Sequence, residues 1–184
     1  DASSSDHFGI SAAIDGGTIV IGAYGKDSVT GAAYIFRTSD GGATYVELAR
    51  LMPSDATNDF GYSVAIDGNT VVIGAPQYAS GPGAVYVFRT TDGGATYGQV
   101  AILTASDAAA GDSFGESVAI DGNTIVIGAS SDEDGSSFSG SAYVYRTTDG
   151  GATYGQVAKL TASDAAASDG LGFSVAIDGD TVMI

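Results

Sequence analysis

The 184-residue sequence has no cysteine and no tryptophan, and only three prolines and one histidine. Without cysteine there is no disulfide scaffold, no thiolate metal site and no cysteine nucleophile. Basic residues are also few: 6 Lys and Arg face 22 Asp and Glu, a net charge of −16. Such a surface repels nucleic acid and anionic lipid, and it suits a cation-rich surrounding. No apolar run approaches the ~20 residues of a membrane-spanning helix, so membrane insertion is not expected, and no signal peptide is visible. Helical periodicity is missing as well. What remains is a glycine-rich chain, 28 Gly in all, with Val, Ile, Tyr and Phe returning at regular intervals. That recurrence separates it from a disordered composition.

The recurrence is an internal repeat. Phe-Gly stands at Phe8-Gly9, Phe60-Gly61 and Phe114-Gly115, with Leu171-Gly172 as an altered fourth copy. After these come "SAAIDGGTIVIGA", "SVAIDGNTVVIGA", "SVAIDGNTIVIGA" and "SVAIDGDTVMI". Next come "GAAYIFRT", "GAVYVFRT" and "SAYVYRT", and then "TSDGGATY" or "TTDGGATY" at 38–45, 90–97 and 147–154.

Each copy reads as four short strands. In the second, Ser63–Ile66 alternates, Asp67-Gly68-Asn69 is a tight hairpin turn, and Thr70–Ala75 is an apolar run suited to burial on both faces. The loop Pro76–Gly83 ends that run, Ala84–Arg89 alternates again, and Tyr97–Thr104 is the fourth strand. The expected fold is all-β: a β-propeller of four-stranded antiparallel blades, with an open β-solenoid as the alternative. The blades span roughly 6–54, 58–106 and 112–163, with a partial copy at 169–184, about three and a half in all.

Phe60-Gly61 followed by Gly74-Ala75-Pro76 resembles the FG-GAP repeat of integrin α-subunit heads and of many bacterial and algal surface proteins. The other copies keep Phe-Gly and Gly-Ala but have Tyr24 and Ser130 in place of the Pro. The resemblance implies a propeller, commonly of seven blades. The blades present would then belong to a longer polypeptide, or two chains would meet to complete seven.

The eight-residue phrase resembles the Asp-box, Ser/Thr-x-Asp-x-Gly-x-Thr followed by an aromatic. Asp40, Asp92 and Asp149, with Gly42, Gly94 and Gly151, occupy its defining positions. The carboxylate can bond backbone N–H groups of its own turn, and the glycines accept positive φ. In sialidases such turns lie away from the catalytic centre. One copy in each of three blades points to a scaffold turn, since an active site needs one asymmetric constellation.

No catalytic set emerges. His7 is alone, with Asp59, Ser113 and Gly170 at its equivalent places, so no Ser-His-Asp triad can be drawn. Arg37, Arg89 and Arg146 all directly precede the phrase, which suggests a structural pair with a carboxylate or carbonyl, or a ring of charge. Integrin-type calcium loops between the first two strands are reduced here to Asp-Gly-Asn or similar. The remaining metal candidate is "SSDEDGSSFSG", 130–140, where Asp132, Glu133 and Asp134 with Gly135 could supply hard oxygen ligands to calcium. A solvated acidic loop is the other reading.

The resemblance implies a non-catalytic extracellular or cell-surface interaction or adhesion module. It would contact protein or glycan through unequal loops on one face. A building block of a surface filament, and part of a sialidase-like carbohydrate-active enzyme, are the alternatives.

Overall fold

The computed structural model describes residues 3, 5–28, 30–55, 58–77, 81–134 and 136–184. Among them there are strands and no helix. Blade 1 comprises β1 (Ala12–Asp15), β2 (Thr18–Ala23), β3 (Ala32–Arg37) and β4 (Val46–Leu51). Blade 2 comprises β5 (Ser63–Asp67), β6 (Thr70–Ala75), β7 (Ala84–Arg89) and β8 (Gly98–Leu103). Blade 3 comprises β9 (Ser117–Asp121), β10 (Thr124–Ala129), β11 (Ser141–Arg146) and β12 (Gly155–Leu160). The fourth copy contributes β13 (Ala176–Asp178) and β14 (Thr181–Met183). Each sheet is a simple antiparallel meander, giving three four-stranded sheets and one two-stranded sheet. The first strands β1, β5, β9 and β13 lie side by side, so they form the inner wall of a partial β-propeller.

Period-two side-chain alternation explains why one blade cannot stand alone. In β6, Val71, Ile73 and Ala75 join Val20, Ile35 and Leu51 of blade 1. Their neighbour Val72 joins Ile125, Ile127 and Ala129 of blade 3. All six residues of β6 are buried, as are all six of β10. The outer strand β8 alternates between exposed and covered.

The Phe-Gly pair seals each junction. Phe60 is fully buried and meets Tyr86 and Phe88 edge-on, with ring centroids 5.2 and 6.0 Å away. Phe114 does the same with Tyr143 and Tyr145 at 5.3 and 6.1 Å. Each bridges backward to the preceding blade, Phe60 to Gly31 and Phe114 to Gly83. The following Gly61 has φ +90°, and the Gly74 of β6 sits where an added Cβ would lie 2.0 Å from the carbonyl oxygen of Gly115. Adjacent blades therefore touch backbone to backbone at this point, and only glycine permits it.

The tight hairpin turn has one specialised residue. Gly68 takes φ +54° at the first loop position, while Asn69 stays at negative φ. Two-residue hairpins that place Gly first have this requirement.

Each outer strand also carries an extra residue. The register slips between Ile35 and Phe36, between Val87 and Phe88, and between Val144 and Tyr145. Leu48, Val100 and Val157 fall at the slips and point outward, 43%, 40% and 59% exposed.

Candidate functional site

The β1–β2 type hairpins and the turns after β3, β7 and β11 lie at one end of the blades, because antiparallel strands alternate in direction. The β2–β3 type loops and the links between blades lie at the other end. The two ends use polar residues differently.

At the first end every turn repeats the same bonds. Thr90 Oγ1 donates to Asp92 Oδ1 at 2.7 Å, and the Gly94 N–H donates to Thr90 Oγ1 at 2.8 Å. Thr96 donates twice to the Asp92 carboxylate, from its N–H at 2.9 Å and its hydroxyl at 2.6 Å. Asp40 and Asp149 receive the same pair from Thr44 and Thr153. The Thr hydroxyl bond, then the Thr N–H, holds all three carboxyls well below the usual carboxylate range. Gly42, Gly94 and Gly151 lie at φ +96°, +93° and +90°.

The arginines before these turns reach forward by one blade. Arg37 donates to the carbonyl of Gly93, and Arg89 to that of Gly150. Arg146 Nε instead faces Thr124 Oγ1 at 3.3 Å. The hairpin acids reach forward too. Asp15 accepts from Gly68 N at 2.7 Å, Asp67 from Gly122 N at 2.6 Å and Asp121 from Gly179 N at 2.5 Å. So do the serines that open the inner strands: Ser11, Ser63 and Ser117 donate to the carbonyls of Gly61, Gly115 and Gly172 at 3.1, 2.7 and 2.7 Å. The recurring polar residues are thus committed to the scaffold, closing their own turns or joining one blade to the next.

At the loop end the blades differ. In blade 3 a cavity of about 540 Å³ opens between the link 107–112 and the loop 131–138. Asp107, Asp112, Asp132, Glu133, Asp134, Phe138 and Lys159 line it. Lys159 comes from β12 and lies under the loop. Its Nζ is 2.6 Å from Asp107, 2.8 Å from Asp132 and 3.2 Å from Asp134. Tyr143 donates to Asp132 at 2.7 Å and to Asp107 at 3.0 Å. The Lys159 ammonium also stands 5.4 Å from the centre of the Tyr143 ring.

Charge and burial compete here. Burial alone pulls the Lys159 ammonium down, but its bonds to Asp107, Asp132 and Tyr143 together outweigh this and raise it. Burial, reinforced by the bond to Asp132, pushes the Tyr143 phenol far up. Burial raises Asp107, yet Lys159 and Tyr143 bring it below its ordinary value. Asp112 is raised by burial and then by the charges of Asp132 and Asp107. Tyr145, whose hydroxyl donates to the Thr104 carbonyl at 2.6 Å, is pushed up to about 12 by burial first and Asp107 second.

The structure therefore brings Asp132 and Asp134 together, but around an ammonium group. Glu133 lines the cavity, and Gly135 lies outside the described residues. No group of three or more carboxylate or imidazole residues forms a metal cage among the described residues. Lys159 was not singled out from the sequence, although a signal exists. Aligning "VAILTASD" with "VAKLTASD" shows Lys159 where blade 2 has Ile102. A lysine substituting an apolar strand residue next to a tyrosine needs acids nearby. In blade 1 the same place holds Arg50, which pairs with Asp27 and lies over Tyr34.

The FG-GAP repeat family matches residues 1–36, 39–88, 97–145 and 154–184, and the chain belongs to that family. The unmatched stretches 37–38, 89–96 and 146–153 include the second and third Thr-x-Asp-Gly-Gly turns, 90–97 and 147–154, almost whole. No curated protein sequence matches the chain. Among solved structures, Saccharomyces cerevisiae Sqt1, a WD40-like propeller protein, superposes with a TM-score of 0.56 at 12% identity. The match covers 88% of this chain and 37% of Sqt1, and it concerns the fold alone.

Proposed function

We propose that this chain is a non-catalytic interaction module of an extracellular or cell-surface assembly, recognising its target through the loop end of the blades. One observation carries the reading. Polar residues that repeat are engaged in turn-closing or blade-to-blade bonds, while those that vary gather at the loop end. A fixed scaffold that presents unequal loops is the arrangement of a recognition surface. FG-GAP propellers serve in general as protein-interaction or adhesion domains, which agrees with it.

The sialidase-like alternative draws less support. Arg37 and Arg89 are held by the carbonyls of neighbouring turns, not gathered to clamp a substrate carboxylate. Asp112, a cavity acid raised above its ordinary value by burial, accepts from Ala109 N. Asp6 and Asp169 make the same bond to Ser3 N and Ala166 N, so this is a repeat turn and not an acid–base pair.

The test uses beads coated with the chain against intact cells and isolated surface material, together with a panel of glycoside substrates. Retention that falls on changing Lys159→Glu, with no turnover of any glycoside, is the expected result. Multiple turnover of a glycoside would overturn the reading.

A further inference from the structure

We propose that an aromatic ladder of His7, Tyr24 and Tyr62, at the loop end between blades 1 and 2, binds the uncharged ring of a saccharide. This rests on the interaction-module reading and assigns it a site away from the blade 3 cavity. The rings of His7 and Tyr24 are stacked, 4.5 Å between centroids and 11° from parallel. Tyr62 continues the series 5.5 Å from Tyr24, tilted by 54°. His7 is exposed, and both tyrosines are part-exposed.

The repeat does not demand this ladder. The equivalent residues are Asp59, Pro76 and Glu116 at the next junction, and Ser113, Ser130 and Phe173 at the one after. Those junctions form the same turns: Asp59 and Ser113 share the positive φ of His7. The ladder also has its own clearance. Gly25 stands where the later blades have Gln77 and Ser131, and a Cβ there would lie 2.8 Å from His7 Cδ2 and 1.9 Å from the Ser5 carbonyl oxygen. A glycine that the other blades do without thus admits the Ser5 backbone and, beside it, the His7 ring.

The chemistry fits one ligand class. Flat rings with polar edges offer an apolar face to the C–H face of a sugar, and donors to its hydroxyls. Tyr62 also borders a depression of about 380 Å³ with Ile10, Glu116 and Phe173. Glu116, oriented by the Ser130 hydroxyl, places a carboxylate beside it. With a net charge of −16 around it, this surface opposes uronic and sialic acids and accepts neutral or N-acetylated sugars.

The experiment titrates the 184-residue chain with β-linked glucose oligomers and N-acetylglucosamine oligomers, with oligogalacturonate as the acidic control. Tyrosine emission and ligand-observed NMR report binding, since the chain has ten Tyr and no Trp. One neutral series is expected to saturate the chain. Its Kd should weaken at least about tenfold in both His7→Ala and Tyr24→Ala, as expected for losing a stacking partner, and recover in His7→Phe. Oligogalacturonate should bind about tenfold more weakly or not at all. Unchanged unfolding temperature of the exposed His7→Ala variant keeps folding out of the comparison. The proposal is overturned if neither neutral series saturates, if both alanine variants keep the parent Kd, or if the acidic oligomer binds as well. Beads that still adhere to cells through His7→Ala and Tyr24→Ala, but not Lys159→Glu, would end this proposal while leaving the module reading intact.

Discussion

Asp92 accepts from two threonines and serves its whole turn, as do Asp40 and Asp149. Their folded carboxyls titrate below the ordinary 3.8. A depressed carboxyl contributes stability that is complete above the unfolded value and is lost as pH falls toward the folded one. Urea unfolding should therefore give a flat contribution from these turns between neutral pH and about pH 5, then a decline below about pH 4. Asp92→Asn should lower stability at neutral pH and make the decline shallower. An equally steep decline in that variant would count against the assignment. Lys159 supports a second residue-scale prediction. Lys159→Ile, the blade 2 residue, removes the ammonium from Asp107, Asp132 and Asp134. At fixed ionic strength, calcium should raise the unfolding temperature of this variant by more than that of the parent. Equal shifts would show that the three carboxylates do not form a cation site once freed. The acids of this cluster were legible as an acidic loop. The lysine was not, because its partners come from a link 52 residues earlier and a loop 27 residues earlier, and only the folded blade joins them.

At the scale of the strand, the sequence was highly readable. Thr70–Ala75 and Ala84–Arg89 match their strands end to end, the first an unbroken apolar run and the second an uninterrupted alternation, each preceded by a glycine turn. The fourth strands were less legible. Their single extra residue shifts the alternation midway, so Val100 is apolar yet points outward. The Phe-Gly pair was visible as a repeat, but its bridge to the preceding blade was not. Phe60→Ala should destabilise the chain by ~3–5 kcal/mol, because a fully buried aromatic leaves a cavity between two sheets. Chemical denaturation measures this. A cost below about 1 kcal/mol would mean that the junction collapses onto the gap. Phe8→Ala should cost much less, since Phe8 is 50% exposed.

Across the whole molecule, one recurring set of joints runs forward, alongside the backward Phe60 and Phe114 bridges. Arg37 and Arg89, with the hairpin aspartates and the inner-strand serines, reach the backbone of the next blade. Arg89→Met should weaken the junction of blades 2 and 3 by about 1 kcal/mol, the usual worth of one such bond. It should leave the junction of blades 1 and 2 as it was, which hydrogen exchange at the two inner strands can resolve. Removal of residues 60–113 joins Asp59 to Phe114 and brings Arg37 to the turn that holds Gly150. The shortened chain should still unfold cooperatively in circular dichroism, and a broad transition would show that the two joints are not interchangeable.

The forward-reaching joints bear on how such a chain can lengthen. A tandem duplication of one period copies the side chains that reach forward together with the backbone that receives them. The new blade arrives already matched to both neighbours, with no compensating mutation required. Loop-end residues such as Tyr24 and Lys159 belong to no joint that every blade repeats, so each copy is left free to diverge at that end.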